Sequence, residues 1–152
     1  IRIYIKKDKK VKIEPSVKKM LKEEEDFGIK DYKTYQKFGE KVYKIRDNVL
    51  RNIKKLRERN NLIIGYGAPA KATTALNFFW VSKEIDFIVE DNKLKQNKYI
   101  PGVKILIKNK SFIKDKKNVL LVLAWNFFDD IKKNNLNLSN KFINIKDLES
   151  NN

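Results

Sequence analysis

Leu62-Ile63-Ile64-Gly65-Tyr66-Gly67-Ala68-Pro69-Ala70-Lys71-Ala72-Thr73-Thr74 reads as an apolar strand running straight into a glycine turn and then a helix. Gly65, Gly67 and Ala70 fit the G-x-G-x-x-G/A spacing, in which small residues let the turn close tightly. The same spacing lets a phosphate lie against backbone N–H groups at a helix N-terminus. Pro69 gives up one N–H donor but suits the first helical position, so it preorganises the turn. Lys71 falls in the first helical turn, where a cation opposes the helix dipole unless an anion lies nearby, which favours a phosphate or carboxylate neighbour. Thr73 and Thr74 add hydroxyls on the second rung, either for a ligand or for their own helix backbone. Together with Ala68, these residues predict a site for a phosphorylated ligand.

Downstream of the turn, short apolar runs alternate with helical stretches, the pattern of strands and helices around a mostly parallel sheet. The expected strands are Leu62 to Tyr66, Ile85 to Glu90, Val103 to Ile107, Val119 to Ala124 and Phe142 to Ile145. Helices are expected over Ala70 to Phe79 and Phe127 to Lys133, with a short turn near Ser111 to Ile113. Asp91 to Gly102 is polar and broken by Pro101-Gly102, so it reads as a loop. Five strands suffice for a Rossmann-like, doubly wound α/β sheet. In such a sheet the acidic residue about 20 residues beyond the glycine turn meets ribose hydroxyls. Asp91 is the candidate, unless Asp91-Asn92 merely starts a turn. A doubly wound order also brings Trp125-Asn126 to the switch point beside the glycine turn. There the pair either stacks on and hydrogen-bonds a base or sugar, or Trp125 caps the core and Asn126 caps the following helix.

Upstream, Ile1-Arg2-Ile3-Tyr4-Ile5 alternates like a strand, and without an initiator methionine the chain reads as a piece cut from something longer. Pro15 and Ser16 offer a helix start, with Val17, Met20 and Leu21 as a short apolar stripe ending near Phe27-Gly28. Asp31 is a plausible N-cap for a long helix. Along it Tyr35, Phe38, Val42, Ile45, Val49, Ile53 and Leu56 recur every three or four residues, as a core-facing stripe does. The expected organisation is therefore 1–60 as an N-terminal strand and helical extension packed on a nucleotide-binding domain at 61–152.

The 152 residues suffice for one core. Cysteine and histidine are both absent, which excludes thiolate chemistry, a zinc site, a serine-histidine triad and a histidine base from this chain. No apolar run approaches the roughly 20 residues needed to cross a bilayer, and no signal peptide is visible. The expectation is a cytoplasmic chain without a membrane partner. The net charge of +16 is the kind that attracts phosphate backbones. Lysine supplies nearly all of it, however, with only five arginines and abundant asparagine, the mark of an AT-rich coding sequence. Residues 1–60 carry +10 and residues 61–152 carry +6, so the excess lies mainly away from the turn. A solvated basic surface is the better reading and nucleic acid is not the expected partner. Without a histidine, and with little chain left for a second region, a self-contained oxidoreductase is also disfavoured.

Gly65-Tyr66-Gly67-Ala68-Pro69-Ala70-Lys71-Ala72-Thr73-Thr74 is followed by Leu76-Asn77, Ile88-Val89-Glu90-Asp91-Asn92 with Lys95-Gln96, Tyr99-Ile100-Pro101-Gly102 and Leu123-Ala124-Trp125-Asn126-Phe127. In this order and spacing the motifs resemble the C-terminal domain of S-adenosylmethionine-dependent sugar C-methyltransferases. Arg2-Ile3-Tyr4-Ile5 is similar to the last strand of that family's preceding methyltransferase domain, so the resemblance covers essentially the whole chain. It implies that zinc and S-adenosylmethionine belong to other domains of a longer enzyme, and that this chain holds no cofactor and no catalytic residue. The implied partners are a nucleoside-diphosphate sugar and the preceding domain of the same polypeptide. By motif position the resemblance places Gly67 to Lys71 near phosphates and puts Asp91, Asn92, Lys95, Gln96, Trp125 and Asn126 along the same cleft. Two other readings stand beside it: a free-standing module for NAD or another nucleotide, and a basic adaptor for nucleic acid.

Overall fold

Pro15 at the first helical position and Gly28 in the left-handed region at φ +79° bracket helix α1, Pro15–Phe27, as a proline start and a glycine stop should. Asp31 then accepts the Lys33 N–H at 2.9 Å and starts α2, Tyr32–Arg59. The computed structural model describes residues 2–8, 10, 12–59, 62–139 and 141–150, and these fall into two compact units, 1–41 and 42–152, divided within α2. Asn60 and Asn61, where the composition changes, lie outside the described residues.

The first unit differs from expectation in two ways. Residues 2–8 form no strand, and Ile1 lies outside the described residues. An extended segment becomes a strand only against a neighbour that completes its hydrogen-bond ladder, and among the described residues none pairs with it. The first part of the apolar stripe is also not core: Val17, Met20, Leu21, Tyr35 and Phe38 are all exposed. Burial along α2 begins in the second unit, where Val49 and Ile53 are fully enclosed and Ile45, Leu50 and Leu56 pack against them.

In the second unit the chain continues through β1 (Ile63–Tyr66), α3 (Ala70–Phe79), β2 (Phe87–Val89), β3 (Ile107–Lys108), β4 (Val119–Val122), α4 (Phe128–Asn134) and β5 (Lys141–Asn144). The strands form one parallel sheet in the order β3-β2-β1-β4-β5. This mixed α/β architecture is the expected Rossmann-like one. The chain winds from β1 to one edge and then returns to build the other, so β1 and β4 lie side by side with their connections leaving in opposite directions. That places the topological switch point at their carboxyl ends, where ligands bind in open α/β sheets.

Strand alternation divides the core between the two sheet faces. Ile63, Ile88, Val119, Leu121 and Leu123 pack with Val49, Ile53, Ala72 and Leu76 of α2 and α3. Ile64, Tyr66, Phe87, Val89, Leu120 and Val122 face the other way, toward Phe128 and Ile131 of α4 and toward Phe142. Each fully buried Ile or Leu contributes about 1.5–3 kcal/mol over its exposed state, which is what fixes the register. Gly65 is part of this packing: a Cβ there would lie 2.8 Å from Ile88 Cγ1 and 3.0 Å from Leu123 Cδ1.

The third strand is displaced from its expected span. Residues 99–106 fold back on themselves, with the Ile100 N–H donating to Ile105 O at 2.9 Å, Gly102 at φ +82°, and an antiparallel bridge between Tyr99 and Leu106. Val103 to Ile105 are consumed in that turn, so pairing with β2 begins only at Ile107.

Candidate functional site

The loop from β1 to α3 turns on Gly67, at φ +88°, where a Cβ would meet the Ala124 methyl at 3.0 Å. Its N–H donates to Val89 O at 2.8 Å, which seats the turn against the end of β2. Pro69 stands one position earlier than expected. It is the N-cap of α3 rather than the first helical residue, at φ −72° and ψ 160°, and its carbonyl accepts the Ala72 N–H at 2.9 Å. The N–H groups of Ala70 and Lys71 open the helix and, among the described residues, take no hydrogen-bond acceptor. They are the orphan donors that every helix start leaves, and here they lie at the carboxyl end of β1.

Lys71 resolves its conflict with the helix dipole in an unexpected way. Its ammonium lies 4.1 Å from the centre of the Trp125 ring, a cation–π contact that joins the α3 start to the segment that follows β4. Trp125 is half-buried and packs on the α2 and α3 side of the core, so it serves as a core cap and at the same time carries this cation. Asn126 is exposed in a 3₁₀ turn, Trp125–Phe127, and is not the helix cap, because α4 starts two residues later with Phe127 in the cap position. Thr73 is partly buried, and its carbonyl accepts the Asn77 Nδ2 group at 2.8 Å. Asn77 Nδ2 also donates to Pro101 O at 2.9 Å, tying α3 to the turn at Gly102.

The acidic end of β2 sorts differently from expectation. Asp91 is exposed, and both its oxygens are engaged: Oδ2 accepts the Tyr66 hydroxyl at 2.9 Å, and Oδ1 lies 3.1 Å from Lys110 Nζ. Tyr66 is buried, and its hydroxyl also lies 3.2 Å from Asn135 Oδ1. Burial, and after it the hydrogen bond to Asp91, keep this phenol protonated far above the ordinary tyrosine range.

Glu90, which sequence reasoning passed over in favour of Asp91, is the carboxylate at the glycine turn. Its Oε2 accepts the Ala68 N–H at 2.8 Å and its Oε1 accepts the Asn92 N–H at 3.0 Å. Lys95 Nζ donates to Ala68 O at 2.9 Å and stands 3.8 Å from Glu90 Oε2. Gln96 Nε2 donates to Glu90 O at 2.7 Å, and Asn92 Oδ1 accepts the Leu94 N–H at 3.0 Å. Lys95, Gln96 and Asn92 thus hold the loop's own backbone. The signal for Glu90 was available: successive strand residues alternate faces, so Glu90 shares Ile88's face, toward Gly65 and α3, while Asp91 projects to the side of Tyr66.

The arrangement therefore has two flanks. Toward β2, the turn is closed by Glu90 and Lys95. Toward β4, it presents two unpaired amides and the Lys71 ammonium on Trp125. Among the described residues no three His, Cys, Asp or Glu side chains gather as a metal site, and no helix is long and apolar enough to cross a membrane.

A family model described as the C-methyltransferase C-terminal domain matches residues 1–144. No curated protein matches the chain significantly.

Proposed function

Given that the chain belongs to the C-methyltransferase C-terminal domain family, we propose that it anchors the nucleoside diphosphate of a sugar substrate while a preceding domain of the same polypeptide transfers a methyl group from S-adenosylmethionine. S-adenosylmethionine and zinc are assigned to the other domains of that enzyme, and this chain supplies no catalytic residue. The observation that carries the reading is the pair of unpaired N–H groups of Ala70 and Lys71 beside the Lys71 ammonium, at the β1–β4 switch point. An anion received there gains two donors, the positive end of α3 and the Lys71 ammonium that lies on the Trp125 ring face. Remote binding of the diphosphate then becomes orientation of the sugar at the reacting carbon.

A thermal-shift panel of dTDP, UDP, GDP, NAD and S-adenosylmethionine tests this. A nucleoside diphosphate is expected to raise the melting temperature and S-adenosylmethionine to leave it unchanged. Lys71→Glu should remove most of the rise, since it places a negative charge where the phosphate belongs. Stabilisation by NAD alone, lost in Asp91→Ala, would replace this reading with the dinucleotide module. A response to nucleoside diphosphates that Lys71→Glu leaves intact would move the site elsewhere.

A further inference from the structure

We propose that Glu90 is an internal occupant of the glycine turn that competes with the ligand's phosphate, making the turn self-closed until an anion displaces the carboxylate. The proposal rests on the anion-anchoring reading above and specifies how that site is gated. Both polar backbone groups of Ala68 are taken by one ion pair: its N–H by Glu90 Oε2 at 2.8 Å and its carbonyl by Lys95 Nζ at 2.9 Å. The pair is built in. Glu90 is largely shielded, with 15% of its side chain exposed, its second oxygen is fixed by the Asn92 N–H, and its own carbonyl is held by Gln96.

A carboxylate oxygen and a phosphate oxygen ask for the same thing from the turn, an N–H donor and a neighbouring cation. The Ala68 N–H cannot serve both at full strength, and two anions within a few ångströms repel one another. A phosphate entering from the Lys71 side therefore meets the negative charge of Glu90 directly behind its donors. Lys95 offsets one charge, which suffices for Glu90 but not for Glu90 together with a diphosphate. The consequence is selectivity: the turn stays closed to an anion that brings no further contacts and opens to a ligand whose other contacts overcome the repulsion.

Calorimetric titration of the full chain with inorganic pyrophosphate tests the proposal. Glu90→Gln, which removes the charge, and Glu90→Ala, which also removes the occupant, should each bind pyrophosphate roughly tenfold more tightly than the unaltered chain. In the unaltered chain the Ala68 amide resonance should move as pyrophosphate saturates, because its acceptor changes. That measurement decides the matter should a variant fail to fold. Binding by the unaltered chain with no gain in either variant, or an Ala68 amide that stays put at saturation, overturns the proposal and leaves the anchoring reading standing. No binding by any of the three chains overturns both.

Discussion

Gly102 is the position where one added methyl group tells most. Its φ of +82° already disfavours any other residue, and a Cβ there would overlap Asn77 Oδ1. Asn77 cannot simply yield, since its Nδ2 holds both Thr73 O and Pro101 O. Gly102→Ala is expected to destabilise the chain by about 1–3 kcal/mol, read as a lower denaturant midpoint at unchanged slope. Gly65 and Gly67 appear together in one motif and yet act differently. Gly67 supplies the left-handed turn, whereas Gly65 makes room for Ile88 and Leu123 in the core. Spacing alone identifies both as small and cannot separate these roles, because the atoms that crowd Gly65 come from residues more than 20 positions away. Glu90 and Asp91 differ from that case: strand alternation already sends two adjacent carboxylates to opposite faces, and the folded chain adds only the partners, the Ala68 N–H for Glu90 and the Tyr66 hydroxyl for Asp91.

Among the helices and strands, the long apolar-periodic segments were the most legible. Ala70 to Phe79 is a helix over the expected span, and Leu62 to Tyr66 and Val119 to Ala124 contain the central strand β1 and its neighbour β4. Short segments were less so. Val103 to Ile107 has a strand's composition, but the chain reversal after Pro101-Gly102 takes most of it. A polar junction holds the central strand to its neighbours: Asp86 accepts from both terminal guanidinium nitrogens of Arg57, Nη2 at 3.0 Å, and from the Ile63 N–H at 2.9 Å. The end of α2, the start of β1 and the approach to β2 thus meet at the Asp86 carboxylate. Asp86→Ala leaves the Ile63 amide without its acceptor and is expected to cost about 1–3 kcal/mol in chemical denaturation. Part of the ion pair is solvent-screened, so most of that loss belongs to the amide.

The division into residues 1–41 and 42–152 falls inside a continuous helix, where no change of composition marks it. Helical periodicity runs unbroken from Tyr35 to Leu56, yet only the later part of the stripe is buried. A pattern of apolar residues states which face seeks cover and says nothing of what covers it. Residues 42–152 hold a two-faced core of their own, so a fragment of that span is expected to unfold cooperatively. Its amide spectrum for residues 62–148 should overlay that of the full chain. A fragment giving a collapsed, poorly dispersed spectrum would show that the sheet needs residues before 42.

The amino-acid order alone determined the α/β class, the glycine turn opening a helix, the absence of cysteine and histidine chemistry, and the family resemblance, because each depends on local periodicity, residue type or short spacing. Only the folded arrangement decided that Glu90 and Lys95 close one flank of the turn, that Lys71 rests on Trp125, and that Asp91 is engaged by Tyr66 and Lys110. Those contacts join residues brought together by the strand order β3-β2-β1-β4-β5. Pairing across a sheet depends on which strands become neighbours, and that follows from burying both faces at once, a condition no local stretch of chain contains.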